Sequence, residues 1–194
     1  VNGPTPGPGM VAGALNFDGV NDYVQVADHP SLNFGTGNLS IDAWIKTNQS
    51  SGIQLILDKR VEAATVQGYS FFLGNGTLGF QLGIGAGSPI CSTGPSASCT
   101  NWGSGAFVAN GQWRHVAVTV DRSSTTGGRF YVDGVQVATF NPTVRPGSLT
   151  NVAPLRLGSR SSTVTGFYRG AMDGVGLFPP VLTGAQASVA VGAH

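Results

Sequence analysis

Charge is scarce in this chain. Charged residues make up 10% of its 194 positions, against about 25% in an average soluble domain. Ten basic and nine acidic residues leave a net charge of +1, and no lysine or arginine cluster stands anywhere along the sequence. A nucleic-acid partner is therefore excluded, because a run of phosphates is neutralised by grouped cations. Cysteine is almost absent too, with two residues; a zinc site would need two more Cys or His beside them. No apolar run is long enough for a membrane span, and none looks like a signal peptide. That absence is expected of a mature chain or of a piece excised from a larger precursor. Helical periodicity is missing as well: no stretch keeps apolar residues at i, i+3, i+4 and i+7 for long. Glutamate occurs once, as Glu62, and the eight aspartates are scattered. Glycoside hydrolysis needs two carboxylates at a fixed separation, so no catalytic residues are assigned and a non-catalytic role is expected.

Glycine, with 30 residues, and hydroxyl and amide side chains fill the space that charge leaves. Between the turn residues lie short apolar or alternating runs, which predict strands at Tyr23–Val26, Leu39–Lys46, Gln54–Asp58, Tyr69–Leu73, Leu78–Ile84, Arg114–Asp121, Arg129–Val132, Val135–Phe140, Leu155–Gly158 and Ala171–Phe178. Asp133-Gly134 between two of them is a strong hairpin signal, since both positions of that turn take positive φ. Alternation assigns faces: Leu39, Ile41, Ala43 and Ile45 share one side of their strand, with Ser40, Asp42, Trp44 and Lys46 on the other. Likewise Val116, Val118 and Val120 oppose Trp113, His115, Ala117 and Thr119. The expected architecture is one all-β domain, a sandwich of two antiparallel sheets or jelly roll. A chain of this length buries roughly 70% of its unfolded surface and holds a core without further staples.

Residues 1–13 open with VNGPTPGPG and are expected to be a Pro/Gly-rich arm or linker before a domain at 14–194. Cys91 and Cys99 stand in one Gly/Ser/Pro-rich stretch, which favours a loop-closing disulfide and an oxidising, extracellular compartment.

The ordered blocks ALNFDGVNDYVQV, LSIDAWIK, GQWRHVAVTVD, RFYVDGVQVA, LRLGS and GAMDGVGLFPPVLTGAQ span residues 14–186. Together they resemble the laminin-G-like jelly-roll family of the concanavalin A-like lectin and glucanase superfamily. The resemblance implies the concanavalin A-like sandwich, and it implies a carbohydrate-binding or adhesive module of a secreted or surface protein, with a glycan or an extracellular protein as partner. Two departures stand out: the last block reads Met172-Asp173-Gly174-Val175 without the usual acidic residue after the aspartate, and residues 85–110 form a longer connection than is typical.

The family often holds a structural calcium through an early aspartate and the aspartate of the final strand, which nominates Asp18, Asp22 and Asp173, with Asn21 assisting. Calcium takes six to eight oxygen ligands, and the Asn16–Tyr23 segment is rich in them. The competing explanation is that Asp18-Gly19 and Asn21-Asp22 supply Asx turns. For sugar recognition the candidates are Trp102, expected in the cysteine-closed loop, and Tyr168 with Arg169. Trp44 beside Asp42 and Lys46 forms another constellation, but Trp44 and Trp113 are expected to pack and His115 to be a satisfied sheet residue. An enzyme of the lyase type would need His115, Tyr69, Arg60 and Arg169 to converge, and spacing gives no reason for it. The alternative to a binding module is a self-associating subunit of a surface layer, fibre or virus particle. A low-charge surface and an arm that a neighbouring subunit could hold favour that alternative.

Overall fold

The computed structural model describes residues 3–11, 13–179, 181–182 and 186; the remaining parts of the expected arm and of the last block lie outside the described residues. Thirteen strands run in chain order: β1 Thr5–Pro8, β2 Gly13–Asp18, β3 Val24–Val26, β4 Leu39–Lys46, β5 Ile53–Glu62, β6 Val66–Gly74, β7 Thr77–Ile84, β8 Cys99–Phe107, β9 Trp113–Val120, β10 Gly128–Val132, β11 Val135–Phe140, β12 Leu155–Leu157 and β13 Arg169–Phe178. They form a seven-stranded sheet of order β1-β2-β13-β4-β9-β10-β11 and a six-stranded sheet of order β3-β12-β5-β6-β7-β8. Neighbouring strands are antiparallel throughout. This is the expected two-sheet sandwich.

Alternation builds the core as the sequence implies. Leu39, Ile41, Ala43 and Ile45 are fully buried, as are Val116, Val118 and Val120, and they meet Phe71, Leu73, Leu78, Phe80 and Leu82 of the facing sheet. Apolar area removed from water at about 25 cal/mol per Å2 is the term that drives such a closure. The β10–β11 hairpin turns at Asp133 (φ 50°) and Gly134 (φ 77°), as its dipeptide requires.

Three strands were not legible. β1 lies within the expected free arm, where Thr5–Pro8 pairs with β2 at the edge of the larger sheet. Proline is tolerated there because an edge strand has one row of backbone groups facing solvent. The arm is thus held by its own chain, which removes one of the two arguments for an assembly subunit. β2 is short, and β8 is glycine-rich and polar with alternating exposure.

The outer face of the seven-stranded sheet is open at Lys46 and closed around Asp42 and Trp44. Asp42 and His115 are buried with their side chains 3.4 Å apart, and the Trp44 ring lies edge-on to His115 at 5.4 Å. After β13 the Leu182 N–H donates to Ser40 Oγ at 2.9 Å. Trp44 and His115 are packed as expected, but His115 is not the satisfied residue that was expected, since neither ring nitrogen has a hydrogen-bond partner among the described residues.

Candidate functional site in a groove over the six-stranded sheet

A bulge sets up the site. Between Leu55 and Leu57 the β5–β6 register slips by one residue, so that Ile56 and Leu57 both enter the core. The slip leaves Leu55 on the outer face and returns Asp58, Arg60 and Glu62 to that same face. Following register outward from β5, two rows cross the sheet. One is polar: Arg156, Asp58, Ser70, Gln81 and Asn101 are successive partners on β12, β5, β6, β7 and β8. The next is apolar: Leu55, Phe72, Gly79 and Gly103. The apolar row, with Gln81 and Asn101 of the polar row, lines a groove of about 520 Å3 that Ile53, Arg60, Glu62, Thr77, Trp102 and Arg160 help to complete.

Glycine shapes the apolar row. A Cβ at Gly79 would stand 2.5 Å from ring atoms of Phe72, so the half-buried ring lies down on the glycine instead of standing off the sheet. Beside it Gly103 is open, with nothing within 4 Å of where its Cβ would be. The result is an aromatic surface with clear space next to it.

The polar row is tied together by Arg60, whose side chain is 4% exposed. Its Nε donates to both Asp58 oxygens, at 3.2 and 3.0 Å, its Nη2 to Asp58 Oδ2 at 2.5 Å, and its Nη1 to Gln81 Oε1. Gln81 Nε2 in turn donates to Asn101 Oδ1 at 2.5 Å and to Cys91 Sγ at 3.2 Å. At the rim, Arg160 donates to Glu62 Oε1 at 2.6 Å, and Arg60 lies 3.3 Å from the same atom. Burial pushes the Asp58 carboxyl above the usual carboxylate range, with the Arg60 charge opposing it. A buried ion pair on the outer side of a sheet is a costly way to stabilise a fold, and perturbed, paired charges in a cleft mark functional sites.

The disulfide between Cys91 and Cys99 is formed. It braces the 88–98 loop, whose carbonyls at Ser92 and Gly94 accept from the buried Arg145 guanidinium. Burial lowers the Arg145 pKa. The loop thereby stands as a fixed wall beside Gln81 and Asn101.

Other candidates fall elsewhere. Trp102 lies on β8, past the loop; its ring stacks on Phe140 at 4.7 Å while its remaining surface lines the groove, so it anchors the sandwich as well as bordering the site. Tyr168 is a correction: it is 0% exposed, its ring edge-on to Phe17 at 5.9 Å and its hydroxyl donating to Ala171 O at 3.3 Å, so it belongs to the core and reaches no ligand. Burial pushes its hydroxyl pKa up. Arg169 is exposed on the seven-stranded sheet. His115, Tyr69, Arg60 and Arg169 do not converge: Tyr69 faces the core, Arg60 lies on the outer side of the six-stranded sheet, and on the other sheet His115 is buried while Arg169 is exposed.

Of the four residues nominated for calcium, Asp18, Asn21 and Asp22 share one turn and Asp173 stands apart from it. Asp18 pairs with Arg169, four residues along β13 from Asp173, which is on the order of 13 Å at strand rise. Asp18 Oδ1 accepts from the N–H groups of Val20 (2.7 Å) and Asn21 (3.2 Å), and Asp22 Oδ2 accepts from Asp18 N–H at 2.9 Å. The first of these contacts holds the Asp18 carboxyl below its ordinary value. This is Asx-turn chemistry. Asp173 Oδ2 accepts from the N–H groups of Met10 (2.8 Å) and Val11 (2.9 Å). Among the described residues no group of three His, Cys, Asp or Glu side chains could hold an ion, and the donor set does not fit a shared calcium site.

Comparison with known families adds the decisive observation: residues 18–188 match the laminin-G-type model described as the concanavalin A-like lectin/glucanases superfamily. The chain belongs to that superfamily. As a concanavalin A-like domain it is similar to the binding domain of Paraclostridial mosquitocidal protein 1, at 12% identity and a TM-score of 0.74, over 98% of this chain and 45% of that one. It is also similar to domain 4 of the GH43 extracellular arabinanase AbnA of Geobacillus stearothermophilus, solved with arabinotriose, at 16% identity and a TM-score of 0.65, over 97% and 81% of the two chains. The Ruminococcus gnavus sialidase module CBM40, solved with α2,3 sialyllactose, matches at 18% identity and a TM-score of 0.55, over 79% and 83%. The concanavalin A-like chain thus spans less than half of the toxin binding domain. At such identities these likenesses concern the fold. No curated protein matches the chain in sequence.

The groove residues Phe72, Gln81 and Asn101 were missed by sequence reasoning. A signal existed: Gly68, Ser70, Phe72 and Gly74 alternate with core residues Tyr69, Phe71 and Leu73, so Phe72 is an aromatic in the outward phase.

Proposed function

We propose that this chain is a non-catalytic carbohydrate-binding module whose site is the groove over the six-stranded sheet. One observation carries the reading: an apolar row with a flat-lying aromatic ring runs parallel to a row of amides and bidentate charge. A sugar ring has an apolar face and an equatorial fringe of hydroxyls, and this pairing of rows answers both. Ligand sites of a few hundred Å3, mostly apolar with a small number of placed polar groups, are the usual form of such recognition, and the groove's 520 Å3 falls in that class. Arg60 is offset by Asp58 and Arg160 by Glu62, so the groove suits neutral glycans. Two of the similar folds were solved with oligosaccharides, one neutral and one acidic, which supports carbohydrate binding as such. The disulfide supports an oxidising, extracellular setting.

Calorimetric titration with a panel of neutral oligosaccharides tests this. A member of the panel should bind the wild type, and Phe72→Ala should weaken it about tenfold, the scale of one lost aromatic contact, without lowering Tm by more than a few degrees. Wild-type affinity in Phe72→Ala, or no binding by any neutral sugar, would remove the groove as the site.

A further inference from the structure

A second pocket, on the other sheet, is built differently. Register places Asn16, Ala171, Lys46 and Trp113 in one row across β2, β13, β4 and β9. Arg169 lies two residues from Ala171 and so projects from the same face. These side chains, with Asn48, line a pocket of about 490 Å3 at the sheet's end. The expectation that Trp113 packs like Trp44 is not met, for Trp113 is only half-buried and its ring borders open space.

Charge sets this pocket apart. Lys46 and Arg169 are both exposed, and no acidic residue is among its described lining. The nearby carboxylates are occupied: Asp173 by the Met10 and Val11 amides, Asp18 by Val20 and Asn21, and Asp133 by Arg114 at 2.6 Å and the His115 amide at 2.9 Å. In a chain with ten cations, seven of the other eight are bound to carboxylates or backbone carbonyls, namely Lys59, Arg60, Arg114, Arg122, Arg145, Arg156 and Arg160. Two uncommitted cations beside an indole are therefore a feature to account for.

We infer that this pocket is a binding site for an acidic saccharide, one that carries a carboxylate or sulfate. The anion sits between the Lys46 ammonium and the Arg169 guanidinium, whose paired N–H groups match the geometry of either group. The apolar face of the sugar ring rests on Trp113, and the Asn48 amide meets hydroxyls. Uncompensated charge separates this site from the groove, where each arginine has its carboxylate. The protein then holds two glycan sites of different charge preference on opposite sheets, and this second site does not rest on the first.

The experiment is calorimetric titration of the whole chain with tri-galacturonate, its neutral methyl ester, a heparin-derived tetrasaccharide and sodium sulfate, at low and at physiological salt. The proposal expects at least one of the two acidic sugars to bind, the ester to bind at least about tenfold more weakly, and affinity to fall as salt screens the exposed cations. The two acidic arms distinguish a uronate from a sulfate ligand. Lys46→Ala and Arg169→Ala should each weaken the acidic sugar about tenfold with Tm unchanged, since both side chains are exposed. Trp113→Phe should keep part of the affinity that Trp113→Ala loses. Phe72→Ala should leave this binding intact, which separates failure here from failure of the groove. Equal affinity in the Lys46→Ala/Arg169→Ala double variant overturns the proposal, as does sodium sulfate competing as strongly as the sugars, which would mark an adventitious ion only. Absence of binding by both acidic sugars overturns it as well.

Discussion

Arg60 and Asp58 show how a buried charge pair divides its work. Their bidentate contact lies on the floor of the groove with Asp58 fully buried, where desolvation consumes most of what attraction supplies. Removing one partner is therefore far worse than removing both. Arg60→Ala should destabilise the fold by about 3 kcal/mol because it leaves the Asp58 charge buried alone. Asp58→Leu combined with Arg60→Met should recover most of that loss while abolishing the groove's polar row. Urea unfolding of the three proteins checks the first statement and sugar titration the second. Recovery of stability together with sugar binding would show that the pair serves neither role.

At the scale of elements, the seven-stranded sheet depends on a segment that composition disguises. β1 contributes ladder bonds to β2, and just after it the Met10 and Val11 amides converge on the Asp173 carboxylate of β13. The final strand is thus fastened to the beginning of the domain by hydrogen bonds to a charged acceptor, which contribute more than neutral ones. Asp173→Asn should cost about 2 kcal/mol. In hydrogen exchange the β1 and β2 amides should lose protection while β9 and β10 keep theirs. Uniform loss across the sheet would mean that β1 is no separate fastening. None of this was legible in the sequence, since Pro6 and Pro8 deny the segment the donors of a central strand and only an edge position admits it. β8 was illegible for a related reason: it closes the smaller sheet, half of its residues face outward, and CTNWGSGAF has one β-branched residue, Thr100, among small and polar ones.

For the molecule as a whole, acid response follows from its few carboxylates. The buried Lys59 ammonium holds the Asp28 carboxyl below its ordinary value through a 2.8 Å contact. Ser123 does the same for Asp121, and the turn amides for Asp18. Groups depressed in the folded state contribute stability that is complete above the ordinary value of 3.8 and is lost as pH falls through their lower folded values. Asp58 acts in the opposite sense, because its raised pKa makes protonation favourable to the fold as pH falls. With three depressed groups against one raised, chemical denaturation should show stability flat from neutral pH to about pH 5 and falling below pH 4. Asp28→Asn should lower Tm at pH 7 and shrink the acid-induced drop. A drop of unchanged size in that variant would assign acid sensitivity to other groups.

What the sequence by itself determined is the two-sheet sandwich, the β10–β11 turn, the pairing of Cys91 with Cys99, and which side chains of each clear strand face inward. All of these follow from alternation or from contacts close in sequence. Tertiary structure alone decided which outward faces are covered and which line an open groove. Asp42 and Trp44 on one sheet alternate in the same way as Gln81 and Phe72 on the other. Yet the former pair is buried, and the latter lines a groove beside the disulfide loop. A period of two assigns a residue to a side of its sheet, but cover for that side comes from segments far away in the chain, and their paths are set by how the two sheets close on each other.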